Sequence, residues 1–157
     1  MSVIEMAAAG GKPREMGKVI AAISVANLVD EGLAARGQLR LDQVRRLDLH
    51  DVLVDTGATL LCLPREIIET LQPDILREVR VDTAMGETTA RIFRGISLTV
   101  EGRTGTVDCL ELPGGKHPLL GVFALEALGI ELDLRNQRLR LLPDDNENTY
   151  LTILHSG

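Results

Sequence analysis

Few residues of this chain sit in a pattern that could do acid–base or covalent chemistry, and one group stands out. Asp55-Thr56-Gly57-Ala58 lies between two apolar runs, Val52-Leu53-Val54 before it and Thr59 to Leu63 after it. A carboxylate there would sit on a tight turn between two buried strands. Gly57 is expected to take a positive φ and allow close backbone approach. The N–H groups of the turn would point at the carboxylate and hold it ionisable, as general acid–base work on a water requires. The plainer reading is an Asp that merely caps a turn. The two cysteines, Cys62 and Cys109, lack the CxxC spacing of a zinc ribbon or a redox pair. Cys62 falls inside Leu60-Leu61-Cys62-Leu63, where a small buried hydrophobe is expected, and a disulfide between the two stays open. His50, His117 and His155 are scattered. No Ser-His or Cys-His pair suggests an acyl-enzyme, and neither a metal nor a cofactor is expected.

The elements that must position Asp55 read as β-rich. Residues 1–15 show no period and read as a loose arm. Gly17 to Asp30 reads as a long strand, with a buried helix as the alternative, and Glu31 to Gly37 as a short helical turn. Arg46 to His50 alternates with period two and runs into Val52-Leu53-Val54. Pro64 opens a helix over 65–71. Val79 to Thr83 and Thr88 to Phe93 flank a hairpin tip at Ala84-Met85-Gly86-Glu87. Ile96 to Val100 and Thr104 to Leu112 flank a second tip at Glu101-Gly102-Arg103. A Pro- and Gly-rich loop over 113–118 leads to Leu119-Leu120-Gly121. A short helix follows over Val122 to Leu128, stopped by Gly129. Ile130 to Leu134 and Arg138 to Leu142 form a last hairpin. After an acidic linker over 143–148, Thr149 to His155 alternates again and reads as an interface strand, or as an edge strand of the same sheet. The expected division is therefore an arm over 1–15, a domain over 16–143 and a linker with a terminal strand over 144–157.

At 157 residues the chain suits one ordinary domain. Its net charge of -6 repels a phosphate backbone, and the 2% of aromatic residues gives no base-stacking platform, so nucleic acid is not an expected partner. Arg45-Arg46 and Arg138/Arg140 are interleaved with Asp and Leu and read as solvated strand faces. No segment is long enough to cross a bilayer, and the N-terminus has Glu5 and no basic stretch ahead of its apolar residues, so a cytoplasmic protein with reduced thiols is the default expectation.

With these residues in view, the chain resembles the retropepsin-like aspartic proteases, both the retroviral enzymes and their soluble bacterial relatives, over most of residues 17–142. The first marker stands as Val54-Asp55-Thr56-Gly57-Ala58, and the second as Leu119-Leu120-Gly121 before a short helix. A hairpin lies between them in the place of the family's flap. The exit through Leu60–Leu63, Pro64 and the helix after it is most similar to the bacterial members. The resemblance implies a mostly β fold: a closed β-barrel half with one or two short helices, assembled as a two-fold dimer. It implies Asp55 as the catalytic residue, one per subunit, supported by Thr56, Gly57 and Ala58, with Thr56 bonding across to the partner loop. Leu119, Leu120 and Gly121 would pack behind that turn, and Ala84, Met85, Gly86 and Glu87 would form the flap. The implied activity is peptide-bond hydrolysis on a peptide or protein substrate, with a homodimer joined through the catalytic loops and terminal strands and with no membrane partner. Many cellular aspartic proteases carry Ser or Thr where this chain has Ala58. Without that hydroxyl the ionised carboxylate is less stabilised, and activity is expected at milder pH than in an acid protease. Viral enzymes often carry Asp at the position of Thr59 and Arg at that of Val122, and both are absent here.

Two other functions compete. The same fold and dimer could hold peptides or partner proteins without cutting them, since fold alone does not fix function. Asp55-x-Gly57-x-Thr59 also fits, in isolation, a phosphate loop of actin-type ATPases. Those folds need a second such loop and a much longer chain.

Overall fold

A computed structural model describes residues 3–5, 19–115 and 117–153. In chain order the strands are β1 (Val3–Glu5), β2 (Val19–Asn27), β3 (Arg46–Asp55), β4 (Leu61–Leu63), β5 (Asp74–Thr83), β6 (Gly86–Val100), β7 (Arg103–Glu111), β8 (Leu119–Gly121), β9 (Ile130–Asp133) and β10 (Arg138–Leu141). The helices are α1 (Leu28–Ala35), α2 (Arg65–Leu71) and α3 (Val122–Ala127), with a single 3-10 turn at Leu41–Gln43.

Six strands close on themselves in the order β6-β2-β3-β8-β4-β7, with β7 returning to β6. Closure leaves no free edge in the ring. Strand β5 pairs with β6 outside the ring, β1 adds to β5, and β9 and β10 form a separate ribbon. The barrel is filled by aliphatic residues, as the scarcity of aromatics requires. Val19, Ile23, Val25, Val52, Val54, Leu61, Leu63, Leu98, Val100, Leu120 and Leu125 belong to one buried cluster. A second cluster gathers Ala58, Cys62, Val79, Val81, Ala90, Ile92, Leu110 and Leu112 between the base of the β5–β6 hairpin and the turn that follows Asp55.

Residues 19–27 form the strand the β-branched pattern favours, and not a buried helix. The helix after it begins at Leu28, three residues earlier than the expected helical turn. Asn27 causes this: its side chain accepts the Asp30 N–H at 3.0 Å and caps the helix. The amide of Asn27 also donates to the carbonyl oxygens of Leu71 (2.9 Å) and Gln72 (3.2 Å). Asp30 is buried and receives the Arg45 guanidinium on both oxygens, at 2.7 and 2.9 Å. Arg45 also donates to the Gln72 side chain at 2.9 Å. Arg45 is therefore no solvated strand residue: it ties α1, the start of β3 and the end of α2 together.

The two short strands expected at 88–93 and 96–100 are one continuous strand, β6. The break read at Arg94-Gly95 is a bulge. Register with β7 shifts between Phe93 and Ile96, and Gly95 has φ +75. One extra residue bends the strand from the hairpin into the barrel without ending it. At the terminal segment, the edge strand of the same sheet does not form over the described residues 149–153. Asp144 and Thr149 make an isolated bridge. Leu154 and His155 lie outside the described residues. Arg103 anchors the segment: its guanidinium donates to the carbonyl oxygens of Leu128 (3.1 Å), Gly129 (2.8 Å) and Leu142, and lies 5.4 Å from the centre of the Tyr150 ring. Val3–Glu5, expected within a loose arm, pairs in parallel with β5, whereas residues 6–15 of that arm lie outside the described residues. No helix among the described residues is long and apolar enough to cross a membrane.

Candidate active site

The site is built on the last residue of β3. Val52 and Val54 are buried in the barrel, which fixes the strand and carries Asp55 to its end, half-buried. The chain then turns through Thr56 and Gly57, both exposed, to Ala58, which is buried in the second cluster. The Gly57 N–H donates to Asp55 Oδ1 at 2.8 Å, and the Ala58 N–H donates to the Asp55 carbonyl at 3.2 Å. A backbone N–H thus holds the carboxylate in one orientation, as the sequence suggested. The conformation of Gly57 differs from expectation: it is not among the positive-φ glycines of the chain. Its N–H reaches Asp55 from an ordinary backbone conformation. The Thr56 hydroxyl makes no hydrogen bond to the described residues.

The second marker, Leu119-Leu120-Gly121, forms β8. β8 inserts between β3 and β4, parallel to β3, with Leu53, Val54 and Asp55 opposite Leu119, Leu120 and Gly121. The Gly121 N–H donates to the Leu60 carbonyl at 3.1 Å, and the Val122 N–H to the Ala58 carbonyl at 3.3 Å. The Asp55 turn is therefore bonded at its far end to the start of α3. Gly121 cannot be another residue without movement: an added Cβ would lie 2.4 Å from the Thr59 carbonyl carbon and 2.7 Å from the Ala58 oxygen. A backbone crossing this close needs glycine.

The hairpin at Ala84-Met85-Gly86-Glu87 forms as expected, with Thr83 opposite Gly86 and Met85 almost fully exposed at its tip. Gly86 has φ +107. Sequence reasoning missed Thr83 here. Its Oγ1 donates to the Gly86 carbonyl at 2.8 Å and accepts the Met85 N–H at 3.1 Å, which locks the tip. A Thr just before a two-residue turn was the available signal. The other missed contributors are Val79 and Val81. They alternate along β5 and carry the hairpin into the same cluster as Ala58.

The thiols are inert. Burial pushes the Cys62 thiol up to about 12, and the nearby Asp55 carboxylate adds to the shift. Cys109 is raised well above its ordinary value, chiefly by burial. Both are free, and they belong to different clusters, Cys62 to that of the hairpin base and Cys109 to the barrel interior. Neither is a thiolate nucleophile near neutral pH. Among the described residues, no three His, Cys, Asp or Glu side chains gather as a metal-binding set.

A closed six-stranded barrel with an Asp-Thr-Gly turn at one strand end, a strand threaded behind that turn and a hairpin packed beside it defines the retropepsin-like aspartyl protease fold. The sequence agrees. The family described as gag-polyprotein putative aspartyl protease matches residues 48–127, from the start of β3 to the end of α3, and the chain belongs to that family. None of the curated proteins matches this sequence.

Proposed function

We propose that two copies of this chain form an aspartic endopeptidase, with one Asp55 from each copy facing the other. The observation that carries this reading is the Asp55 turn: one oriented, half-exposed carboxylate per chain, beside a flap and with no thiolate nearby. Two carboxylates about 3 Å apart cannot both ionise, so such a pair shares one proton. The ionised Asp55 takes a proton from a water as its oxygen attacks the peptide carbonyl carbon. The protonated Asp55 gives its proton to the carbonyl oxygen. The resulting tetrahedral diol collapses, the C–N bond breaks and the leaving nitrogen takes up a proton from the pair. No covalent enzyme intermediate forms. Thr56, exposed beside the carboxylate, would bond across to the partner turn. The exposed Leu151 and Ile153 would join the partner at the terminal segment.

The test is cleavage of a random octapeptide library between pH 3 and 8 by the wild type and by Asp55→Asn, with the mass in solution measured alongside. Cleavage by a wild-type dimer that is lost in Asp55→Asn supports the reading. A stable dimer that cuts nothing would instead mark a peptide-binding module.

A further inference from the structure

β5 is the outer strand of the flap hairpin. One of its edges pairs with β6 along nearly its whole length. Among the described residues, the other edge carries only β1, with Val3, Ile4 and Glu5 opposite Arg80, Val81 and Asp82. The strand that carries this edge packs against the region of the Asp55 turn. Val81 is fully buried and shares the cluster of Ala58, three residues after Asp55. A strand added to this edge lies about 4.8 Å from β5. An extended peptide held under the flap would make its backbone hydrogen bonds by adding a strand here. A strand of the chain's own N-terminus already fills the place.

The pairing has the character of a displaceable contact. It spans three residue pairs, it is parallel, and it joins segments far apart in the sequence. Parallel ladders are slightly less stable per residue than antiparallel ones, and closing such a distant contact costs chain entropy. We propose that Val3–Glu5 is an internal competitor of the substrate. It occupies the flap edge on which a peptide pairs, and it must lift away before a peptide is held against Asp55. This rests on the peptidase reading given above. Its signature is competitive: the strand raises KM and leaves kcat unchanged. If the edge is free in one molecule in ten, apparent affinity falls about tenfold.

The test is made in the full-length chain with the double substitution Val3→Pro/Ile4→Pro. Successive N–H groups along a strand face opposite edges, so the pair of prolines removes whichever one faces β5. Two readouts are needed. Hydrogen exchange at the amides of Arg80–Asp82 should be faster in the double variant than in the wild type. KM for the best-cut peptide of a random octapeptide library should fall about tenfold, with kcat unchanged. Equal exchange in the two proteins would overturn the pairing. Faster exchange with an unchanged KM would overturn the competition. If neither protein cuts any peptide, the peptidase reading fails separately, and retention of library peptides by Asp55→Asn then decides the matter. More retention with the prolines supports the internal competitor, and equal retention overturns it.

Discussion

Substituting Gly121 by Ala tests the geometry of the Asp55 turn at its tightest point. The added methyl carbon would stand 2.4 and 2.5 Å from the carbonyl carbon and oxygen of Thr59. Both are backbone atoms, so no flexible side chain can swing aside. Relief to an ordinary contact of about 3.4 Å requires the Ala58–Thr59 backbone to shift by about 1 Å, within the range where misplacement costs about a hundredfold in rate. The same shift strains the bonds from Gly121 to Leu60 and from Val122 to Ala58. Overpacking of this kind costs about 3 kcal/mol at the upper end of its usual range, which lowers Tm by about 6–12 °C in a domain of this size. Gly32 in α1 is the internal control, because nothing lies within 4 Å of its added Cβ. Gly32→Ala should be neutral or stabilise by up to about 1 kcal/mol. Urea and thermal unfolding of both variants, with peptidase rates, measure the difference. A Gly121→Ala protein within about 0.5 kcal/mol of the wild type, at full rate, would refute the assigned close crossing of β8 behind the turn.

The Arg45 guanidinium holds the Asp30 carboxyl below its ordinary value of 3.8 against the opposing effect of burial. A lowered folded value means stability that is present above the unfolded value and lost as pH falls through the folded one. Asp30→Asn should therefore cost about 2 kcal/mol at pH 7. Unfolding curves of the variant and the wild type should converge below about pH 4, and a constant gap would contradict the pair. Thr83→Val removes both tip hydrogen bonds from an exposed hairpin, so KM for a peptide should rise while Tm stays within about 2 °C of the wild type. Arg103→Met leaves the carbonyl oxygens of Leu128, Gly129 and Leu142 without their shared donor. A loss of about 2 kcal/mol is expected in urea unfolding, and an unchanged midpoint would remove Arg103 as the anchor of the terminal segment.

The elements that could be read from the sequence were those whose signal is local. The alternation of β3, the Pro64 start of α2, the glycines of the two hairpin tips and the stop at Gly129 each report their own backbone. Asp55 could be read because it demands a turn between apolar strands; Gly121 was marked by the resemblance alone, and its crossing too close for a side chain shows only in the structure. What stayed hidden depends on contacts distant in sequence. Arg45 looked like a surface strand residue because its partner Asp30 lies fifteen positions away and Gln72 twenty-seven. Gly95 looked like the end of a strand because a bulge and a break share the same residue type. The pairing of Val3–Glu5 with β5 has no local mark at all: three residues carry too little pattern to name a partner seventy-seven positions on. Gly57 misled in the other direction. Its type suggested a special φ, whereas its part in the site is the N–H it gives to Asp55.

In the proposed peptidase, each active site needs an Asp55 from two chains. Mixing wild type with Asp55→Asn at constant wild-type concentration, after subunit exchange, tests it most directly. Heterodimers would hold one carboxylate and cut nothing, so at equal mixing the activity per wild-type chain should fall to about half, and it should keep falling as the variant is raised. Activity that stays proportional to wild-type chain at every ratio would contradict the shared dyad.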